Sequence, residues 1–109
     1  MQRSKTESYL GFARKAGKLT CGAEAAERMK KDVYLLLVCG TAAENTKKKA
    51  AKLQRRFQCP LLESAGKTLE EITGVANCKI AAVRDAGLAK AVLAADEELF
   101  TKFSGGNGQ

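Results

Sequence analysis

The chain has 109 residues, 45% of them hydrophobic and 28% charged, which is the composition of one ordinary globular domain with a single core. Nineteen Lys and Arg against twelve Asp and Glu leave a formal charge of +7, and a small domain this basic is suited to a polyanionic partner. Histidine is absent, which excludes Ser-His-Asp and Cys-His catalysis and every His-ligated metal, and so argues against an enzyme.

The surplus is concentrated. Residues 1–56 hold 14 basic and 5 acidic side chains, a local charge of +9, whereas residues 57–109 hold 5 and 7, a local charge of −2. In one compact fold that concentration predicts a charged face. No charged segment followed by an apolar leader opens the chain, and no apolar run approaches the ~20 residues that span a bilayer. A cytoplasmic protein without a membrane partner is expected. Cys21, Cys39, Cys59 and Cys78 have 17 to 19 residues between neighbours and form no Cys-x-x-Cys pair, so they are expected to be buried free thiols.

In chain order, Ser4 and Glu7 make a capping-box pattern for a first helix. Tyr9, Phe12, Ala13 and Ala16 recur along it at helical spacing, and Gly17 stops it. Leu19 to Cys21 is a short strand. Gly22 opens a second helix to about Lys31, with Ala26 and Met29 inward. Val33 to Cys39 is an unbroken apolar strand, the pattern of a central position covered on both faces. A third helix runs from the Gly40–Ala43 turn to about Phe57, with Thr46, Ala50, Leu53 and Phe57 inward and Lys48, Lys52, Arg55 and Arg56 outward.

Pro60 starts a short strand with Leu61 and Leu62, and Glu63 to Lys67 forms a polar loop. Thr68 and Glu71 form a second capping box for a short helix that Gly74 ends. Cys78 to Val83 is a further strand. Asp85 caps a last helix whose inner face is Leu88, Ala91, Val92, Ala95 and Leu99, with Asp96-Glu97-Glu98 as a solvated end. Residues 1–103 thus form one domain, and residues 104–109 a disordered tail. Helices alternating with strands at these lengths predict a three-layer α/β/α sandwich, with a central sheet of about four strands and helices on both faces.

Most chemical motifs fail. Gly66-Lys67-Thr68 looks like the end of a phosphate-binding loop, but Leu61 stands where that loop needs its first glycine. No dinucleotide fingerprint or paired catalytic carboxylates occur, so no cofactor and no small-molecule substrate are expected. The run Lys47-Lys48-Lys49, continued by Lys52, Arg55 and Arg56, is either a solvated amphipathic face or a phosphate-tracking surface. Poor aromatic interleaving favours folded RNA over a single strand as its partner. At Ala16 to Glu24 a strand passes through Gly22 into a helix, leaving backbone amides free to meet an anion, with Lys18, Arg28 and Lys31 near in sequence.

Leu10-Gly11-Phe12-Ala13-Arg14-Lys15-Ala16-Gly17-Lys18-Leu19, then Gly22, then Ala43-Glu44-Asn45-Thr46-Lys47-Lys48 together resemble a bacterial branch of the ribosomal protein L-seven-Ae (L-thirty-e-like) family, whose founders bind kink-turn RNA. Cys59-Pro60-Leu61, Lys67-Thr68-Leu69 and Gly74 extend the resemblance over residues 4–99. It implies an α/β/α sandwich and RNA held by the start of the second helix and the loop before the fourth. Carried onto this chain, the implied site is Gly22, Ala23 and Glu24 with Lys18, Arg28 and Lys31, facing Ser64, Ala65, Gly66, Lys67 and Thr68. Glu24 and Ala25 stand where the kink-turn binders have Asn and Glu, and Arg28 stands for their Lys, so the base-reading groups differ. The expectation is a monomeric, non-catalytic binder of structured RNA, ribosomal or ribosome-associated. A protein–protein adaptor on the same fold is the alternative.

Overall fold

The computed structural model describes residues 5–65, 67–95 and 99–102. Ser4, Gly66, the Asp96-Glu97-Glu98 segment and the 104–109 tail lie outside the described residues. The element order is α1 (Lys5–Lys15), β1 (Leu19–Cys21), α2 (Ala23–Arg28), β2 (Leu35–Val38), α3 (Glu44–Phe57), β3 (Leu61–Ser64), α4 (Leu69–Thr73), β4 (Ile80–Val83), α5 (Ala86–Ala94) and β5 (Phe100–Lys102).

The strands form one sheet in the order β1-β4-β2-β3-β5, parallel between β2 and β3 and antiparallel elsewhere. Leu35–Val38 and Ile80–Val83 lie at its centre and are buried at every position, as strands covered on both faces must be. Helices α2 and α3 pack together on one face, and α1 packs with α4 and α5 on the other. The chain is an α/β sandwich.

The sheet has five strands, not four. Phe100–Lys102 pairs antiparallel with β3, placing Phe100 opposite Ser64 and Lys102 opposite Leu62. Accordingly α5 ends at Ala94, and Leu99 leads into a strand rather than lining a helix; Ala89 and Val92 are the buried residues of α5. Polar pairing with an edge strand wins over helical spacing here, and the Leu99 carbonyl accepts from the Ala65 amide at 2.8 Å.

Two helix expectations also change. The inward stripe of α1 is Thr6, Leu10 and Ala13, because Phe12 sits about 200° around the axis from Leu10 and is 67% exposed; Ala16 is exposed as well. Helix α2 stops at Arg28 instead of Lys31, since the chain must then recross to begin β2, and Asp32 takes a positive φ of 65° in that turn. The caps are as expected: Thr68 and Glu71 form a full capping box, Asp85 accepts from Leu88, and Gly74 closes α4 in the left-handed conformation. All four cysteines are free thiols; Cys21 is half-buried and the other three are buried. No described helix is long and apolar enough to cross a membrane.

Candidate functional site

Strand direction decides which of the expected site residues meet. Strands β1, β2 and β3 run the same way, so Gly22, the Cys39–Thr41 turn and Ser64–Ala65 all leave from one edge of the sheet, where β4 and β5 enter. Three bonds close this edge. The Gly22 amide donates to the Ile80 carbonyl at 2.7 Å, Cys39 to Lys79 at 2.8 Å and Ala65 to Leu99 at 2.8 Å. With β4 and β2 between β1 and β3, the two expected walls are three strand spacings apart, about 14 Å.

Gly22 has φ 103° and ψ 144°, a conformation nearly closed to other residues, and turns β1 into α2 without a side-chain cap. Ala23 and Glu24 follow, Glu24 exposed. The Cys21 thiol interacts with that of Cys78, and this contact, with nearby Arg14, holds Cys21 below its ordinary value against the effect of burial; Cys78, whose thiol donates to the Ile80 carbonyl at 3.7 Å, is pushed far up by the same contact and by burial.

The second wall is more polar and more firmly held. A groove of about 470 Å³ is lined by Gly40, Thr41, Glu63, Ser64, Ala65, Lys67, Thr68, Glu71 and Thr101. Ser64 belongs to β3 rather than to a loop; it is buried, and its hydroxyl accepts from the Gly40 amide at 2.8 Å instead of facing a ligand. A Cβ at Gly40 would lie 2.3 Å from the Ser64 carbonyl oxygen, so the turn after β2 approaches β3 as only glycine permits. The Leu69 amide and the Thr41 hydroxyl contact the Cys39 sulfur at 3.4 and 3.1 Å. Burial pushes that thiol up, but hydrogen bonds from Thr41, Leu69 and Ser64 outweigh it, and the thiol ends below its ordinary value.

The cations of this edge are paired. Lys67 Nζ lies 3.0 Å from Glu7 of α1, Lys47 is 2.9 Å from Glu63, and Lys79 is 3.0 Å from Glu70. The Lys79 ammonium and the Asn77 amide hold the Glu70 carboxyl below the usual range, and Glu70 in turn raises Lys79. Lys67 therefore fastens the loop before α4 to α1. Spacing along the chain gives no hint of a partner 60 residues away.

Lys18, Arg28 and Lys31 do not join the Gly22 turn. Lys18 precedes β1 and bonds through its carbonyl to the Arg84 amide at the opposite sheet edge, about 13 Å of strand from Gly22. Helix α2 rises about 9 Å over its six residues, so Arg28 stands at its far end and Lys31 beyond it. A separate surface lies between α2 and α3. Arg56 donates to the Glu27 carbonyl at 2.9 Å and also to the Met29 carbonyl, and its guanidinium lies 4.9 Å over the Phe57 ring. It braces α2 on α3 beside a groove of about 300 Å³ lined by Glu27, Lys49, Lys52, Leu53 and Arg56.

Among the described residues, Lys48, Lys49, Lys52 and Arg55 on α3, with Lys30 and Lys31 just beyond α2, are exposed and have no acidic partner. Like charges three and four residues apart on a helix repel by about 0.2–0.5 kcal/mol per pair, so this face is held at some expense of stability. Helical spacing places Lys48, Lys52, Arg55 and Arg56 on this outer face, and of these Arg56 is committed to the backbone of α2. Among the described residues no cluster of three Cys, Asp or Glu side chains is placed to hold a metal ion.

No protein-family model matches the chain, and no curated protein matches it. A solved structure described as "The structure of a protein with unknown function from Bacillus halodurans C" is similar, at 28% identity and a TM-score of 0.71, over 87% of this chain and 100% of that one. The likeness supports the α/β sandwich, and that description names no activity. Function must be argued from the site.

Proposed function

We propose that the chain binds structured RNA without catalysing a reaction, as a cytoplasmic ribosomal or ribosome-associated protein. The resemblance to the L-seven-Ae family is part of this proposal. The observation that carries it is that the two segments the resemblance implies, which begin at Gly22 and at Ser64, leave from one sheet edge about 14 Å apart. A polar groove opens beside the second segment. Glu24 is exposed at the rim, so contacts on that side come from backbone groups and a carboxylate that accepts from exocyclic amines.

The adaptor reading draws on one observation, the exposed Phe12 ring on α1, which offers apolar area to a protein partner. Fluorescence titration of the protein against a labelled RNA hairpin with an internal loop separates the two. RNA binding predicts a saturable signal at low salt that weakens steeply as salt rises, because released counterions drive phosphate contact. No binding at low salt would remove the RNA reading and leave the adaptor.

A further inference from the structure

We propose that the exposed face of α3 is the phosphate-binding surface of this protein, gripping the sugar-phosphate backbone of a bound RNA helix through Lys48, Lys49, Lys52 and Arg55. This rests on the RNA reading above and assigns its electrostatic contacts to a surface other than the sheet edge.

Spacing supports the assignment first. Lys48, Lys52 and Arg55 follow one another at four and three residues, so they form a single stripe about 10 Å long, with Lys49 beside it on the wall of the α2–α3 groove. Electrostatics supports it next. These four cations have no acidic partner among the described residues, whereas Lys47, Lys67 and Lys79 at the sheet edge each hold a carboxylate within 3.0 Å. A phosphate approaching the edge must displace an ion pair; one approaching α3 meets free charge.

Rigidity is the third support. Arg56 is committed to the Glu27 and Met29 carbonyls, so it fixes α2 against α3 rather than contacting a ligand. The composition of the face selects the occupant. From Lys48 to Arg56 its exposed residues are all cationic, with no exposed apolar side chain to enter a membrane or an unstacked base. Contacts of that kind position a nucleic acid without reading its sequence.

The test compares the wild type with a Lys48→Ala, Lys49→Ala, Lys52→Ala, Arg55→Ala variant, on one labelled RNA hairpin with an internal loop, over a series of salt concentrations. Each phosphate contact contributes about 0.7–0.9 to the slope of log affinity against log salt. The variant is expected to lose about 3 of that slope, with its circular dichroism and urea unfolding showing a folded domain. A Lys90→Ala variant, which removes an exposed cation from α5 in the opposite helix layer, is expected to keep the wild-type slope to within about 1. A folded quadruple variant with an unchanged slope would overturn the assignment and leave RNA binding standing. Wild-type protein that fails to bind the hairpin at low salt overturns both. Loss of binding to phosphatidylserine vesicles, with the RNA slope unchanged, would assign the face to a membrane and overturn the proposal.

Discussion

The sheet edge and the α3 face carry lysines in similar number but use them differently. At the edge, Lys47, Lys67 and Lys79 are each matched with a glutamate, and the pairs tie β3, the loop before α4 and β4 to neighbouring elements. On α3, Lys48, Lys49, Lys52 and Arg55 stand exposed without acids. The same side-chain chemistry therefore closes the fold in one place and remains available to a partner in the other. Net charge counts both groups alike; only the free one attracts a polyanion strongly.

That contrast is open to direct attack, most forcefully by charge reversal. Lys49→Glu with Lys52→Glu is expected to weaken RNA binding about 100-fold or more at low salt, since it turns free attraction into repulsion. Lys90→Ala, on α5 of the opposite helix layer, should change the affinity by no more than about threefold. Titrations that ranked the two in the opposite order would break the contrast.

The next largest effect concerns stability at the edge. Gly40→Ala forces a methyl against the Ser64 carbonyl and is expected to cost about 1–3 kcal/mol in urea unfolding. An unchanged midpoint would mean that the turn after β2 is not clamped to β3.

A smaller effect has opposite signs in the two regions. Neutralising the four α3 cations with alanine should stabilise the free protein by about 1 kcal/mol at low salt, because several repulsive pairs vanish and alanine favours helix. The gain should shrink as salt screens the charges. Glu70→Gln at the edge should instead lower the urea midpoint at neutral pH.

The pH dependence of that last difference follows from the Glu70 carboxyl, whose value lies below the ordinary 4.5 when folded. A depressed carboxyl adds stability in full above the unfolded value, and that stability is lost as pH falls through the folded one. Wild type and Glu70→Gln should thus differ at pH 7 and converge in acid. At the alkaline end, burial raises Cys59 from 9.0 to about 11, so its neutral thiol favours the folded state fully below pH 9 and loses that effect as pH rises through 11. Urea midpoints of Cys59→Ala and wild type should draw together over that interval.

What was readable in the chain was local. The Val33–Cys39 run announced a strand covered on both faces, which the fold forms over Leu35–Val38, and Thr68 with Glu71, Asp85, Gly22 and Gly74 announced caps and turns, because each acts within a few residues. What was missed depends on contacts between distant segments. Strand β5 has only three residues, two of them exposed, and exists through pairing with β3. Ser64 and Lys67 both belong to the wall that the resemblance implies, but Ser64 is drawn inward by its bond to Gly40 and Lys67 is paired with Glu7, 60 residues away. Lys18 and Lys31 are near Gly22 in sequence, but the direction of β1 and the length of α2 carry them away from it.

RNA binding in the cell is the proposal on which the phosphate-binding face of α3 depends. Ultraviolet crosslinking of the intact chain in cells, followed by sequencing of the recovered RNA, tests it most directly. The account predicts recovery of discrete structured RNA segments by the wild type, and much less by the Lys48, Lys49, Lys52, Arg55 alanine variant. Wild-type recovery no greater than that of an unrelated basic control protein would contradict it.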